Sequence, residues 1–150
     1  MAHGITNADS MMSVRRVPWH GLGVVLDERP RTLADALAAA GLTWTVAKEP
    51  LCRADGRVVA GHHATVRKDT DQALGVVSDD YVVVQNHECF AFLANLLGSE
   101  LLFETAGSLW GGRQVFITAE LPEHVTVGGD EVRPTSCCRR GTPAPARSAR

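Results

Sequence analysis

A helix pattern runs directly into a strand pattern in the stretch Thr32-Leu-Ala-Asp-Ala-Leu-Ala-Ala-Ala-Gly41-Leu-Thr-Trp-Thr-Val-Ala47. Thr32 is a typical helix N-cap with Asp35 three residues later, and Gly41 is a typical helix stop, so the spacing predicts a helix over Thr32–Ala40. After Gly41 the apolar residues alternate with polar ones, and Pro50 limits the run. This alternation predicts a strand over residues 42–47.

The segments on either side of this stretch indicate hairpins and one more helix. Asp55-Gly56 favours a tight turn between two strands. Asn86 is a good N-cap for a second helix over His87–Leu97. The remaining strand-like segments are residues 22–26, 57–67, 73–77, 81–85, 101–109, 114–121, 125–127 and 131–133, and the rest of residues 1–31 has the composition of loops. Sequential hairpins with two helices predict an α+β fold, with both helices packed on one face of an antiparallel sheet.

The composition is that of one globular domain. The chain has 150 residues, of which 45% are apolar and 21% are charged. No stretch approaches the roughly 20 apolar residues of a membrane span, and the N-terminus lacks the pattern of a secretory signal. We therefore expect a cytoplasmic location and no membrane partner. The four cysteines are too few and too irregularly spaced for a disulfide scaffold, so we expect reduced thiols.

The net charge is divided unevenly along the chain. Residues 1–133 contain all 17 acidic residues and 11 basic ones, whereas residues 134–150 contain four arginines and no acidic residue. This last segment also has no Leu, Ile, Val, Met or aromatic residue. Such a composition cannot build a core, so the sequence predicts an ordered unit over residues 1–133 and a disordered basic tail over 134–150.

Signatures of metal or cofactor binding are missing from the sequence. It has no Cys-x-x-Cys or His-Glu-x-x-His pair, and no Gly-x-Gly-x-x-Gly or Walker-type loop. We therefore predict neither a metal nor a cofactor. Glu104 and Glu120 lie on strand-like segments and could form a carboxylate pair for acid–base or Mg²⁺ chemistry, although exposed carboxylates on a strand face are the simpler interpretation.

Basic residues around the first hairpin suggest a nucleic-acid surface. Arg53, Arg57, Arg67 and Lys68 would supply cations for phosphates, and Trp44 would supply an aromatic face for bases. The net negative charge of residues 1–133 opposes nonspecific binding. A solvated face above a core tryptophan explains the same residues.

Three strings together resemble a known family. They are Pro18-Trp19-His20-Gly21-Leu22-Gly23, Val83-Val84-Gln85-Asn86, and Glu104-Thr105-Ala106-Gly107-Ser108-Leu109 followed by Gly111-Gly112. In this order and at this separation they resemble phage/plasmid-like proteins of the domain of unknown function 932 family. The resemblance implies a mobile-element context without an established activity. It singles out as site residues Trp19, His20, Gln85, Asn86, Glu104, Thr105 and Ser108.

Two classes of function are compatible with these observations. The order of helix, hairpin, strands and helix is similar to the core of Rad52-like annealing proteins, which favours binding or annealing of single-stranded DNA in recombination by a homo-oligomer. The alternative is an enzyme that uses the Trp-His-Gly, Gln-Asn and Glu-Thr motifs, with His20, Asn86 and Glu104 as candidate catalytic residues. A structure that places these three residues in one pocket would favour the enzyme.

The resemblance also bears on the end of the chain. Family members are typically about twice as long or longer, and an apolar strand of the Tyr-Leu-Leu-Leu kind follows the Gly-Gly-Asp turn. Codons for that strand, read one base late, give the Thr-Ser-Cys-Cys of residues 135–138. We therefore expect residues from about 135 onward to be an out-of-frame tail that deprives the sheet of a strand. An inactive fragment of a longer family member is the corresponding third possibility for function.

Overall fold

The computed structural model describes residues 4–6, 9–97, 102–120, 125–127, 130–132 and 134–141. Over these residues the chain forms two helices, α1 (Leu33–Ala39) and α2 (Asn86–Leu97). The strands are β1 (Met11–Val14), β2 (Val24–Leu26), β3 (Val46–Cys52), β4 (Val58–Arg67), β5 (Gln72–Ser78), β6 (Leu102–Leu109), β7 (Gln114–Glu120), β8 (Val125–Val127), β9 (Asp130–Val132) and β10 (Thr135–Gly141).

The larger sheet has five strands in the order β10-β7-β6-β1-β2. Its neighbours are antiparallel except for β1 and β2, which are parallel. Helix α1 contacts β1 and β6, α2 contacts β10, and the two helices contact each other. Both helices therefore pack on this sheet, which confirms the predicted α+β fold.

Two faces of the larger sheet have different roles. Alternate residues of β7 from Val115 to Ala119 are buried in the core with Phe90 of α2 and Leu37 of α1. Because successive side chains of a strand point to opposite faces, Thr118 and Glu120 lie on the face away from the core. That second face is where polar side chains collect.

The helix α1 begins and ends as its sequence predicts. The Thr32 hydroxyl accepts a hydrogen bond from the Asp35 backbone N–H, and the Asp35 carboxylate accepts one from the Thr32 backbone N–H, which completes a capping box. The chain leaves the helix through Gly41 with φ of 65°, a conformation in which a side chain would be strained.

The smaller sheet has the order β3-β4-β5 and is antiparallel throughout. The predicted hairpin at Asp55-Gly56 is confirmed. The strand before this hairpin differs from the prediction at both ends. It begins only at Val46, and it continues through Pro50 to Cys52. Pro50 is tolerated since β3 is an edge strand and its register shifts after that residue.

Two extended segments near the helices also differ from prediction. Residues 81–85 do not form a strand, and instead the Gln85 side chain pairs with the backbone of Val46 by donating to its carbonyl and accepting from its N–H. Conversely, β1 lies in a segment whose composition favoured a loop, while the short strand expected nearby is β2. β1 is stabilised by pairing with β6 on one side and with β2 on the other, and these contacts have no local signal in the sequence.

The prediction of a disordered tail is wrong over Thr135–Gly141. These residues form β10, which pairs with β7 along its whole length. The reason is that backbone pairing on an open sheet edge does not require apolar side chains, and small residues fit there. Residues 142–150 and the turn at 128–129 lie outside the described residues. Among those described, no helix has the length and apolar character needed to cross a membrane.

Candidate functional site

The polar face of the larger sheet contains a cluster of opposite charges. Arg29, in the loop before α1, donates from Nη2 to the carboxylates of both Glu104 and Glu120. The two glutamates come from adjacent strands, β6 and β7. The carboxylate pair that the sequence indicated is therefore assembled, and a cation lies between its members.

A β-bulge explains how Glu104 reaches this cluster. Phe103 pairs with Ala119 and Thr105 pairs with Thr118, so Glu104 is an extra residue without a partner position in β7. A bulge of this kind re-aims a side chain and is common next to functional sites. Here it brings Glu104 to the same face as Glu120.

The charged cluster lines a cavity of about 390 Å³, which we call the Arg29 cleft. Its lining residues are Val14, Arg15, Arg16, Arg29, Glu104, Glu120 and Thr135. Three arginines and two glutamates leave the lining with one net positive charge. The volume is within the range of small-ligand pockets, roughly 300–1,000 Å³.

The loop that follows Arg15 and Arg16 is unusually apolar for an exposed segment. Trp19 is 80% exposed and Val17 is 74% exposed. The Trp19 ring meets the His20 ring edge-on, with centroids 5.4 Å apart. His20 Nδ1 accepts a hydrogen bond from the Leu22 backbone N–H at 3.1 Å, which orients the imidazole within its own loop.

Two of the five residues predicted for the nucleic-acid surface are buried. Trp44 is 7% exposed and Arg67 is 6% exposed. The Arg67 guanidinium lies over the Trp44 ring at 4.4 Å and donates twice to Asp69, at 2.7 and 2.8 Å. These hydrogen bonds hold the pKa of Asp69 below its usual value. Trp44 is therefore not accessible to a base, and Arg67 is not accessible to a phosphate, because the two side chains pack against each other.

The other three cations of that hairpin each lie beside an acidic residue. Arg53 and Arg57 are within 2.9 and 3.9 Å of the Asp55 carboxylate. Lys68 contacts Glu49 at 3.0 Å, and this hydrogen bond raises the pKa of Lys68. Their charges are therefore partly offset, and a role in nucleic-acid binding stays a prediction for these three residues.

The Gln-Asn motif joins α2 to the segment before β3. Beside the Gln85 contacts, Asn86 is 2% exposed and donates from Nδ2 to the Leu42 carbonyl at 3.0 Å. Its Oδ1 accepts from Arg140 at 3.3 Å. Both side chains therefore hold the start of α2 against residues 42–46.

The Glu-Thr-Ala-Gly-Ser motif divides between the two faces of β6. Thr105 bonds to Thr118 through their hydroxyls at 2.6 Å on the polar face. Ser108 is fully buried and donates to Asp9 at 3.0 Å. Of this motif, only Glu104 lines the Arg29 cleft.

The three candidate catalytic residues do not form one site. Glu104 lines the Arg29 cleft, whereas Asn86 lines separate cavities beside Trp44. His20 is bonded within its own loop and is absent from the lining of all three cavities. This arrangement gives no support to an enzyme that uses the three together. Among the described residues, no group of three His, Cys, Asp or Glu side chains has a geometry that would hold a metal ion.

Comparison with known proteins bears on the family resemblance. Residues 73–136 match the model of DUF932, a domain of unknown function. This match supports the assignment of the chain to the DUF932 family. The search of curated proteins and the search of solved structures each returned no match.

The DUF932 match covers two of the three strings that carried the resemblance. Val83–Asn86 and Glu104–Gly112 lie within it, and Pro18–Gly23 lies outside it. The match also extends over Thr135 and Ser136, the first residues of β10. Likeness to the Rad52 core stays a prediction.

Sequence reasoning missed two residues that organise the structure. Arg29 lies in a loop with no motif around it, and Asp9 lies near the N-terminus before β1. The consecutive arginines Arg15 and Arg16 are the one local sequence signal for the cleft.

Proposed function

We propose that this protein binds single-stranded nucleic acid through Arg15, Arg16, Trp19 and the adjoining Arg29 cleft. Phage- or plasmid-borne DNA recombination is the setting that the family resemblance favours, and it belongs to the same proposal. So does self-association, for which β2 offers an edge that no other described strand covers, with Val24 and Val25 exposed.

The exposure of Trp19 is the observation that carries this proposal. Trp19 is 80% exposed and Val17, two residues earlier, is 74% exposed, and apolar side chains that cluster on a surface mark interaction sites. Aromatic rings on a protein surface stack with bases, and each stack contributes about 1–3 kcal/mol. Trp19 is accessible for such stacking, whereas Trp44 is buried.

The cations next to Trp19 are better placed for phosphates than those of the hairpin. Arg15 and Arg16 are exposed, and no ion pair with an acidic residue is recorded for either across the described part of the chain. Arg15 adopts φ of 57°, a strained conformation for a residue with a side chain. Pairing of Arg15 N–H with the Leu26 carbonyl at 2.8 Å holds it there. The chain thus has two exposed arginines three and four residues before an exposed aromatic ring.

Fluorescence anisotropy with a labelled oligonucleotide of about 16 nucleotides tests the proposal. Single-strand binding should weaken as salt rises from about 50 to 200 mM, because phosphate contacts release counterions. R15A/R16A should lower the affinity about tenfold and reduce the slope of log K against log salt by about 1.4, since each phosphate contact contributes about 0.7. W19A should lower the affinity without changing that slope.

The matched control is R53A/R57A, which removes the same charge from the hairpin. It should bind within about twofold of the unaltered protein, since its arginines already face Asp55. An equal loss in both double variants would move the interface to the hairpin or show a general charge effect. Absence of salt-sensitive binding to the unaltered protein would reject the proposed function.

A further inference from the structure

The Arg29 cleft has an unused hydrogen-bond acceptor. Glu104 Oε1 accepts from Arg29, and across the described residues no donor is recorded for Glu104 Oε2. The Glu104 side chain is 28% exposed, whereas that of Glu120 is 11% exposed. Of the two carboxylates, Glu104 is therefore the one that a ligand can reach.

Arg29 holds the Glu104 carboxylate in position within the cleft. Its Nη2 is shared between both glutamates, so the guanidinium compensates their negative charges and keeps them close together. Its Nε is buried and has no hydrogen-bond partner among the residues that the structure describes. The cleft thus offers a carboxylate acceptor in its interior, with the exposed Arg15 and Arg16 beside it.

A nucleotide has the complementary arrangement of groups. Its phosphate would bind the exposed arginines, and a base with an exocyclic amine would donate to a carboxylate inside the cleft. Cytosine presents such an amine at N4, where uracil and thymine present a carbonyl oxygen. A carboxylate would attract the amine and repel the carbonyl.

We propose that the cleft holds one nucleotide of the bound strand and that Glu104 selects a base with an exocyclic amine. The inference rests on the proposed single-strand binding and adds a base preference to it. Glu104 is then a specificity-determining residue. The phosphates, bound by Arg15 and Arg16, contribute the affinity that all sequences share.

Oligo(dC) and oligo(dU) of equal length are the probes, because their bases differ only in the N4 amine against the O4 carbonyl and in the neighbouring N3, which carries a hydrogen only in uracil. At neutral pH and fixed salt, the unaltered protein should bind oligo(dC) at least about fivefold more tightly, the lower limit for a discriminating base contact. E104Q should reduce this preference below about twofold. The amide oxygen can accept from the cytosine amine, and the amide nitrogen can donate to the uracil carbonyl. E49Q removes the same charge from β3 and should keep the preference.

The outcomes separate this inference from the proposed function. Equal binding of both probes by the unaltered protein overturns the base preference and leaves single-strand binding intact. Binding of neither probe overturns both proposals. A preference that E104Q retains, with a thermal unfolding midpoint close to that of E49Q, overturns the role of Glu104. If E104Q does not fold, the ratio of the affinities of the unaltered protein for oligo(dC) and oligo(dU) still decides whether the base preference exists.

Discussion

Asp9 shows how one carboxylate joins two distant parts of the chain. Its Oδ2 accepts from the N–H and hydroxyl of Thr6, and its Oδ1 accepts from the Ser108 hydroxyl and the N–H groups of Gly111 and Gly112. Both glycines have positive φ, which turns these two N–H groups toward the same oxygen. The Gly-Gly after β6 therefore forms an anion-binding turn that an internal side chain already occupies.

The first prediction concerns the replacement Asp9→Asn. Burial by itself would raise the pKa of Asp9, but the hydrogen bonds from Thr6, Gly111 and Ser108 outweigh it and hold the pKa below the usual 3.8. Asp9 therefore stabilises the fold above its unfolded pKa, and this contribution is lost as pH falls through the lower folded pKa. We expect D9N to lower the free energy of unfolding by about 1.5–3 kcal/mol at neutral pH, because a charged acceptor is lost.

The free energy of unfolding of both proteins is measured by urea denaturation at two pH values, one neutral and one below the usual pKa of Asp9. The difference between the unaltered protein and D9N should narrow at the lower pH, because protonation removes the same charge. D55N is the control, since Asp55 is exposed on the hairpin turn. A difference between D9N and the unaltered protein that does not change with pH would contradict the role of the ionised carboxylate.

At the level of elements, the Thr32 side chain and Asp35 form a capping box at the start of α1. The helix has only seven residues, and isolated helices of that length are unstable, so capping and tertiary packing must both contribute. T32A should lower the free energy of unfolding by about 1 kcal/mol, as is usual for loss of an N-cap. T32S should stay within about 0.5 kcal/mol because serine also caps.

Thermal or urea unfolding of the three proteins measures this difference. T43A provides the comparison, since Thr43 is exposed in the loop after α1. An unchanged stability in T32A would mean that packing of Leu37 and Ala36 alone fixes the helix.

Elements with local signals could be predicted, and those that depend on distant partners could not. Caps and periodicity predicted α1, α2 and the hairpin strands. By contrast, β1 needs β6 and β2 on either side, and the start of β3 depends on Gln85 and Asn86. The candidate site follows the same division. The sequence indicated that Glu104 and Glu120 could form a carboxylate pair. It did not indicate the bulge at Glu104 or the position of Arg29 between the two carboxylates.

Trp44 illustrates why surface residues are hard to predict. An aromatic residue among cations has the same sequence pattern whether it stacks on bases or on Arg67. Which of the two occurs depends on the direction of its side chain, and that direction is set by packing between the two sheets. Trp19, which follows Arg15 and Arg16 within four residues in sequence, is the exposed ring.

At the scale of the whole molecule, β10 is the strand whose sequence fits its position least well. It completes the larger sheet on the β7 edge, and its alternate residues Ser136, Cys138 and Arg140 are half-buried. Burial beside Cys89 raises the pKa of Cys138. Apolar residues are usual at such core-facing positions. Here an arginine and small side chains occupy them, and only the backbone pairing is that of a well-formed strand.

We propose that this mismatch arises because residues from about 135 onward are read out of frame. The family match ends at residue 136, the acidic residues end at 131, and the strand geometry persists because an open sheet edge accepts almost any backbone. On this proposal, the frame shifted by one base would encode an apolar strand in place of β10. The nucleotide sequence is the measurement: reading frames after codon 134 should show an apolar, family-like continuation shifted by one base. A shifted frame that gives stop codons or a low-complexity sequence would contradict the proposal and leave β10 as the strand that this protein evolved.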